Sequence, residues 1–555
     1  MPAPIVVPAF FATKPRISPK HLEAVNAQVS QNCNTKRGIL SPLMDLEAQN
    51  PNPISKAGAI RSIYKLKDGT WLYWSSVVDV VEAAVNDADS RIHFTGDSYP
   101  KQTDATLATS GAADTYPTET KRLGLPKPSA PLNVQLSPAS VAEDAEIERS
   151  TSYVYTYVTS WGEESEPSDP TGVFEVKTGQ SCVLTNFTPP TLAGVSISHY
   201  RVYRLNSGDS SAEFQLVPYS SSADDIPASD TSFTDNVADS DLSSEVLPTE
   251  NWNKLPDDAF GLMHTGNGLF FAFKDKEVYP SESYIPYAYP WNFRLSVPHD
   301  IVTGGYFNQT VVVLTTGHAH LIGGLDPESL SMDKVSYNQA CISKRSVANS
   351  PGGVIYASPD GLVMIGPEGQ TVLTRSVYTK KQWRDLPTSS LIGFYQDGQY
   401  IGFFEGTGNG IIFDFESQDI GNISLVGKKV YGGYVDTEDD ALYLLTYDDT
   451  DYRIEKWEGA ATAMTYTWKS KDFFYSTALN LGAARIMGKQ AVGDPVYFKV
   501  YRNGVHQETK IITNDEPFRL TNGVKGYDWE FQVEGTAKVF EVRMAASITE
   551  LQYAG

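Results

Sequence analysis

The sequence has only three cysteines in 555 residues, Cys33, Cys182 and Cys341, and they lie far apart. That excludes a disulfide framework and a CxxC zinc site, and it makes three reduced thiols the expectation. No run of about 18 apolar residues is present, so no membrane-spanning helix is expected. The stretch from Met1 to Pro8 lacks a basic segment followed by an apolar one, so no secretory signal is expected. Positive charge is scarce: 44 Lys and Arg stand against 67 Asp and Glu, a net charge of −23. Such a chain is poorly suited to gripping a phosphate backbone, which needs Lys and Arg to displace counterions. It suits a surface that DNA passes without sticking, and equally plain solubility. Catalytic signatures are also missing, with no G-x-S-x-G elbow, Walker loop or HExxH motif. The expectation is a protein that is not an enzyme, with no catalytic, cofactor-binding or metal-ligating residue and no cofactor.

Apolar and aromatic residues are plentiful, at 41% and 12%. The length is enough for roughly three or four domains of about 100–200 residues. Short runs of Val, Ile, Tyr, Phe and Thr alternate with turn signals every 8–12 residues or so, the pattern of an all-β, multidomain chain. Turn dipeptides recur at Asp68-Gly69, Asn267-Gly268, Asp360-Gly361, Asp397-Gly398, Asn409-Gly410, Asn503-Gly504 and Asn522-Gly523. Each can supply the positive φ of a tight hairpin. One helix is expected after Ser18-Pro19, where Ser18 can cap the run Lys20–Val25.

Composition divides the chain into four stretches. Residues 1–125 form a β-rich N-terminal platform, with strands at Ile63–Leu66, Thr70–Trp74, Val78–Val81 and Arg91–Gly96 and a long loop at 102–120. A Pro-rich joint, Leu125–Pro131, ends it. Residues 132–247 read as a β-sandwich. The strand TSYVYTYVT, the loop GEESEPS, the strand YRVYR and the late segment FTD together resemble a fibronectin type III domain, a fold that by itself implies no activity. Residues 255–460 carry a loose repeat of four or five strand–turn–strand units: Ala259–Tyr279, Ile301–Gly324, Ser346–Thr374, Leu391–Leu425 and Lys429–Trp457. A unit about every 40–45 residues suggests a β-propeller. Residues 462–555 form a C-terminal β-domain, expected to pack with the platform.

Several residue groups bear weighing as sites. His318-Ala319-His320 places two imidazoles on one strand face, but zinc needs a third ligand. Asp436–Asp440, Asp448–Asp451 and Asn86–Ser90 are acidic turns without the EF-hand spacing, and they read as solvated hairpins. Gly406–Gly410 lies between strands, so it reads as a hairpin rather than a phosphate loop. Nine tryptophans and 31 tyrosines could build a sugar platform, although cross-strand packing accounts for them. Thr379–Arg384 is a small basic-aromatic patch. It suits a solvated turn or, among partners, a neighbouring subunit's acidic loop better than DNA.

The most specific pattern lies at the two ends. Pro8–Pro19 leads into Ala27-Gln28, Asn32-Cys33-Asn34 and Gly38–Pro42. Ile92–Pro100 and Arg122–Pro126 follow, and Thr467–Phe473 and Tyr527–Ala537 complete the set. Together these resemble the tail nozzle (tail hub, tail tubular B-like) structural proteins of short-tailed phages, with the fibronectin-like stretch as an added insertion. The resemblance implies a virion component made in the host cytoplasm and built into the tail. It implies a homo-oligomeric ring, a hexamer, below the portal and a head-to-tail adaptor protein. Tail fibres or a tail needle would be neighbours, and genomic DNA would pass through without sequence-specific binding. The alternative reading is a host-receptor-binding tail protein or adhesin that recognises surface glycans.

Overall fold

The computed structural model describes residues 4–49, 53–84, 90–113, 115–207, 212–220, 222–521 and 525–553. It is all-β and multidomain, with three short α-helices among the described residues. Its centre is a ring of seven sheets. Blade one has two strands, Ser62–Lys65 and Trp71–Trp74. Blade two is a meander of four, from Asp79–Glu82 to Lys121–Arg122. Blades three to six are four-stranded meanders that begin at Phe260–His264, Ile301–Phe307, Ala348–Ser350 and Leu391–Gln396. Blade seven begins at Lys429–Asp436, and its outermost strand, Glu47–Ala48, comes from the other end of the chain. That pairing closes the ring non-covalently. From blade two around to blade seven and on to blade one, the first strands of successive blades adjoin one another about the axis.

Packing explains why these strands read as near-continuous apolar runs. Each blade is covered on both faces by its neighbours, so alternation is lost. In blade four Val311, Val312, Val313 and Leu314 are all buried. Val311 and Val313 meet blade three's Phe271 and Phe273, while Val312 and Leu314 meet blade five's Val354 and Tyr356. Every adjacent pair of blades has such a core, including the pairs one–two, two–three and seven–one. Glycines on the first strands receive aromatic rings from the preceding blade. A Cβ on Gly304 would meet Phe273 at 2.6 Å, and one on Gly433 would meet Phe394 at 2.5 Å.

The units read at 255–460 are blades three to seven. Blades one and two come from residues 62–122, so the ring uses residues on both sides of the boundaries read at 125 and 255. The spacing suggests four or five units, and the ring has seven.

Between blades two and three the chain leaves the ring and forms a β-sandwich. One sheet holds Asn133–Ser137, Ser181–Thr185 and Ser232–Asp235. The other holds Tyr153–Val158, His199–Ser207, Ala212–Leu216 and Ile226–Pro227. The GEESEPS segment runs along Tyr153–Val158 as an edge. Pro167 and Pro170 interrupt its donors. Around the prolines, Ser165, Ser168 and Thr171 each pair twice: their N–H groups donate to the Tyr157, Tyr155 and Tyr153 carbonyls, and their side-chain oxygens accept from the same tyrosines' N–H groups at 2.9, 3.2 and 2.9 Å.

The two ends of the chain fold together. Ile5–Val7 pairs with Val539–Ala545, and Val29–Gln31 pairs with Tyr466–Lys469. Ile5, Val7, Phe10 and Leu40 lie in one core with Trp468, Phe531 and Val542. A parallel bridge, Asn422 to Gln31, continues blade six's sheet into this end domain.

Three local expectations change. Lys20–Val25 is a series of turns, not a helix. Leu22 is its one buried anchor, and Pro19 and Lys20 are engaged by Asp472 and Asp528 instead. Asn409-Gly410 begins a strand, because the hairpin turn falls at residues 405–408. The loop at 102–120 contains the strand residues Gln102 and Thr103 and a helix, Ala105–Ala108, capped by Asp104. The Asn522-Gly523 turn and Asn86–Asp89 lie outside the described residues.

Candidate functional site

The propeller axis holds two adjoining cavities of about 450 and 550 Å³, which share Asp79, Tyr306, Asn349 and Tyr434. Their walls are the first strands of the blades. Lys344 Nζ lies 2.6 Å from Asp79 Oδ2, which also accepts from Gly261 N–H at 2.9 Å. Arg345 donates to the Arg61 carbonyl at 2.9 Å and pairs with Glu405 at 3.3 Å; Arg61 pairs with the same carboxylate. Burial pulls the Arg345 guanidinium down to about 10 against the pull of Glu405. Tyr64 OH donates to Glu82 at 3.1 Å. His264 stacks on Phe270 at 4.6 Å, and burial lowers its pKa. The cations are paired with carboxylates across blades, so these contacts tie blades together. Each cavity is far smaller than a DNA duplex, whose major groove alone is about 12 Å wide.

Two further polar clusters sit at joints between modules. The first fastens the sandwich to the propeller. Arg122 is buried beneath Tyr99, its guanidinium 3.9 Å from the ring centre, and donates to Asp257 at 2.7 Å and to the Ala193 carbonyl at 3.1 Å. Gln102 donates to buried Glu163 at 2.9 Å. Desolvation pushes the Glu163 carboxyl up to about 7, against the favourable influence of Gln102, Arg91 and Lys121. Asn253 donates to Glu166 at 2.6 Å. The second cluster fastens blade six to the end domain. Ala12 N–H donates to Asp419 at 2.7 Å, Trp468 Nε1 to the Phe11 carbonyl at 2.9 Å, and Ser424 N–H to Asn32 at 2.8 Å. Phe10 meets the Trp468 ring edge-on at 5.0 Å. Burial raises the Asp419 pKa.

The groups singled out in the sequence fall as follows. Only His320 of the histidine pair lies in a strand. It is buried and its pKa is lowered by burial, while His318 Nδ1 faces the Val335 carbonyl at 3.1 Å. The fold adds His299, whose ring packs on Gly317. Still, no group of three or more His, Cys, Asp or Glu side chains converges on a metal site among the described residues. The Asp436–Asp440 turn is a clasp between blades: Lys65 of blade one reaches Asp436 at 2.8 Å and Asp439 at 2.7 Å. In the other acidic turn, Asp448 caps the N–H groups of Thr450 and Asp451, which hold its pKa down to about 2. Residues 405–408 make the expected hairpin turn. Lys380–Arg384 is a helix closed by a capping box between Thr379 and Gln382. Trp383 is fully buried and donates to the Ser358 carbonyl at 2.8 Å, while Lys380 and Arg384 pair with Asp360 of this same chain. Among the tryptophans, Trp383, Trp468, Trp74, Trp457 and Trp529 are buried, and Trp291 is exposed.

The cysteines are all buried and free. Burial pushes Cys33 and Cys341 up to about 12 and raises Cys182. Thiolate is the reactive form, so the native protein should resist alkylation near pH 8 and take up three labels only when unfolded. Intact-mass measurement after iodoacetamide checks this; a label acquired by the native protein would contradict it.

No family model and no curated protein matches the chain. Among solved structures, that of U3-55K is similar over 73% of this chain and 99% of its own, at 8% identity and a TM-score of 0.29. The WD40 repeats of RRP9 are similar over 74% and 99%, at 8% identity and 0.29. An exo-β-1,3-galactanase from Phanerochaete chrysosporium is similar over 52% and 95%, at 9% identity and 0.20.

Proposed function

We propose that the protein is a structural component of a virion, the tail nozzle subunit of a short-tailed phage, and that it works by assembly rather than turnover. The observation that carries this reading is the position of the nozzle-like residues. Phe10, Phe11 and Trp468 bind the two chain ends to each other, Ala12 and Asn32 bind them to blade six, and Tyr99 and Arg122 fasten the sandwich to blade two. The likeness therefore gathers at joints that hold modules at fixed angles. A likeness built on catalysis would gather at a pocket, because function resides in sites rather than folds.

In this reading the end domain is the platform that meets the adaptor, and the propeller forms the wall of a larger ring. The genome passes through the lumen enclosed by the subunits, since the propeller's own axis is too small. The excess of acidic residues keeps DNA phosphates from adhering to that wall. The sandwich faces tail fibres or a tail needle. Identical subunits would close a hexamer through heterologous contacts.

Native mass spectrometry of the full chain, alone and with its adaptor ring, tests this. A closed six-membered ring on the adaptor is expected. A stable trimer that ignores the adaptor and binds host glycans would overturn the reading in favour of an adhesin.

A further inference from the structure

Two adjoining hollows, of about 480 and 640 Å³, open between blades five and six and share Arg16, Val372 and Arg375. Their apolar lining includes Met364, Leu373 and Phe415, all half-buried. The rim carries Arg16 and Arg375, both exposed. Arg16 is held in place: its N–H donates to the Val377 carbonyl at 2.7 Å, and Nη1 donates to the Arg375 carbonyl at 3.1 Å. Gln382 fixes the preceding residue by donating to the Pro15 carbonyl at 2.8 Å. Neither guanidinium has a carboxylate partner among the described residues, because nearby Asp360 is taken by Lys380 and Arg384. In a chain of net charge −23, two arginines over an apolar floor, one of them held in place and neither with a carboxylate partner among the described residues, stand out.

The complement is present on the same chain. The loop between blade four's last two strands exposes Leu325 at 67%, with Asp326 and Glu328 also exposed. A capping box between Asp326 and Ser329 fixes this loop, so docking it costs little ordering entropy. Neither carboxylate has a cationic partner among the described residues. One leucine beside two carboxylates matches an apolar floor beneath two guanidiniums.

We propose that the Arg16–Arg375 groove receives the Leu325–Glu328 loop of a second copy of this chain. The contact joins two different patches, so it is heterologous and can propagate around a ring. It rests on the assembly reading above. It steers encounter and fixes register, and it weakens with salt.

Sedimentation velocity of the full chain, with and without the adaptor ring, tests the contact. The variants are Arg16→Glu with Arg375→Glu, and Asp326→Lys with Glu328→Lys. Each should self-associate about tenfold more weakly or worse, and an equimolar mixture of the two should recover wild-type association. The milder pair Arg16→Gln with Arg375→Gln should fall between, and circular dichroism should find every variant folded. If wild type assembles and the Arg16→Glu, Arg375→Glu variant assembles equally well, the groove is not the contact and the nozzle reading stands. If the mixture fails to recover, the loop is not the occupant. If wild type stays monomeric even with the adaptor, both the contact and the nozzle reading fall.

Discussion

Replacing Asp235 with alanine should cost the sandwich about 3–5 kcal/mol, the usual loss when one partner of a buried ion pair is removed. Asp235 ends the strand Ser232–Asp235 and is 0% exposed; Arg204 is 1% exposed. The carboxylate accepts from Arg204 Nη1 at 2.6 Å, Tyr153 OH at 2.6 Å and Val237 N–H at 2.9 Å. Burial and the neighbouring carboxylate hold the Tyr153 hydroxyl protonated well beyond its ordinary range. Without Asp235, the guanidinium keeps, among the described residues, the Val237 carbonyl and Asp239, whose side chain is 44% exposed, and two donors lose their acceptor. Pulse proteolysis of the full chain in urea, read on fragments from 132–247, measures the loss. Changing both partners to apolar residues, Arg204→Met with Asp235→Leu, should restore only part of the stability: no uncompensated charge remains, but the Tyr153 hydroxyl and the Val237 N–H still lack an acceptor. A loss below about 1 kcal/mol for Asp235→Ala would mean that water reaches the pair.

Glu163 should make the protein more stable in mild acid than in mild base. Its carboxyl is raised from 4.5 to about 7 by burial at the sandwich–propeller joint. The folded state therefore holds a proton that the unfolded chain releases. The stabilisation is fully present below the unfolded value of 4.5 and is lost as pH rises through about 7. The shift corresponds to about 3 kcal/mol. Arg91 and Lys121 work against it, and Glu164, Asp419 and Glu458, all raised by burial, titrate in the same direction. The comparison of Glu163→Gln with wild type isolates the one group. The variant should match wild type near pH 4 and exceed it by up to about 3 kcal/mol near pH 8. The Gln102 amide can still donate to the new side chain's carbonyl. Thermal unfolding across that range reads the difference. Parallel curves for the two proteins would place the ionised carboxylate in water and not in the joint.

How far the chain was legible depended on the range of the interactions. Turn chemistry and apolar runs are local, so strands at Ile63–Leu66, Thr70–Trp74 and throughout 255–460 could be read, as could hairpins at Asp397-Gly398 and Asn503-Gly504. Both glycines have positive φ, +74° in each case. Cap residues misled where tertiary partners competed: Ser18-Pro19 has the form of a helix start, yet Asp472 and Asp528 engage the next turn. Glu163 gave no signal at all, since a carboxylate in a polar loop reads as solvated until a second domain covers it.

By itself the sequence determined the all-β class, the strand-rich stretch at 132–247 and, as four or five strand–turn–strand units, the later blades. These follow from side-chain chemistry at spacings of a few residues. Only the tertiary structure decided that Glu47–Ala48 closes blade seven, that blades one and two precede the sandwich, and that Phe10 meets Trp468. Each depends on pairing between residues hundreds of positions apart, and no periodicity records such a pairing. It is settled by which apolar faces remain uncovered once the local strands have formed.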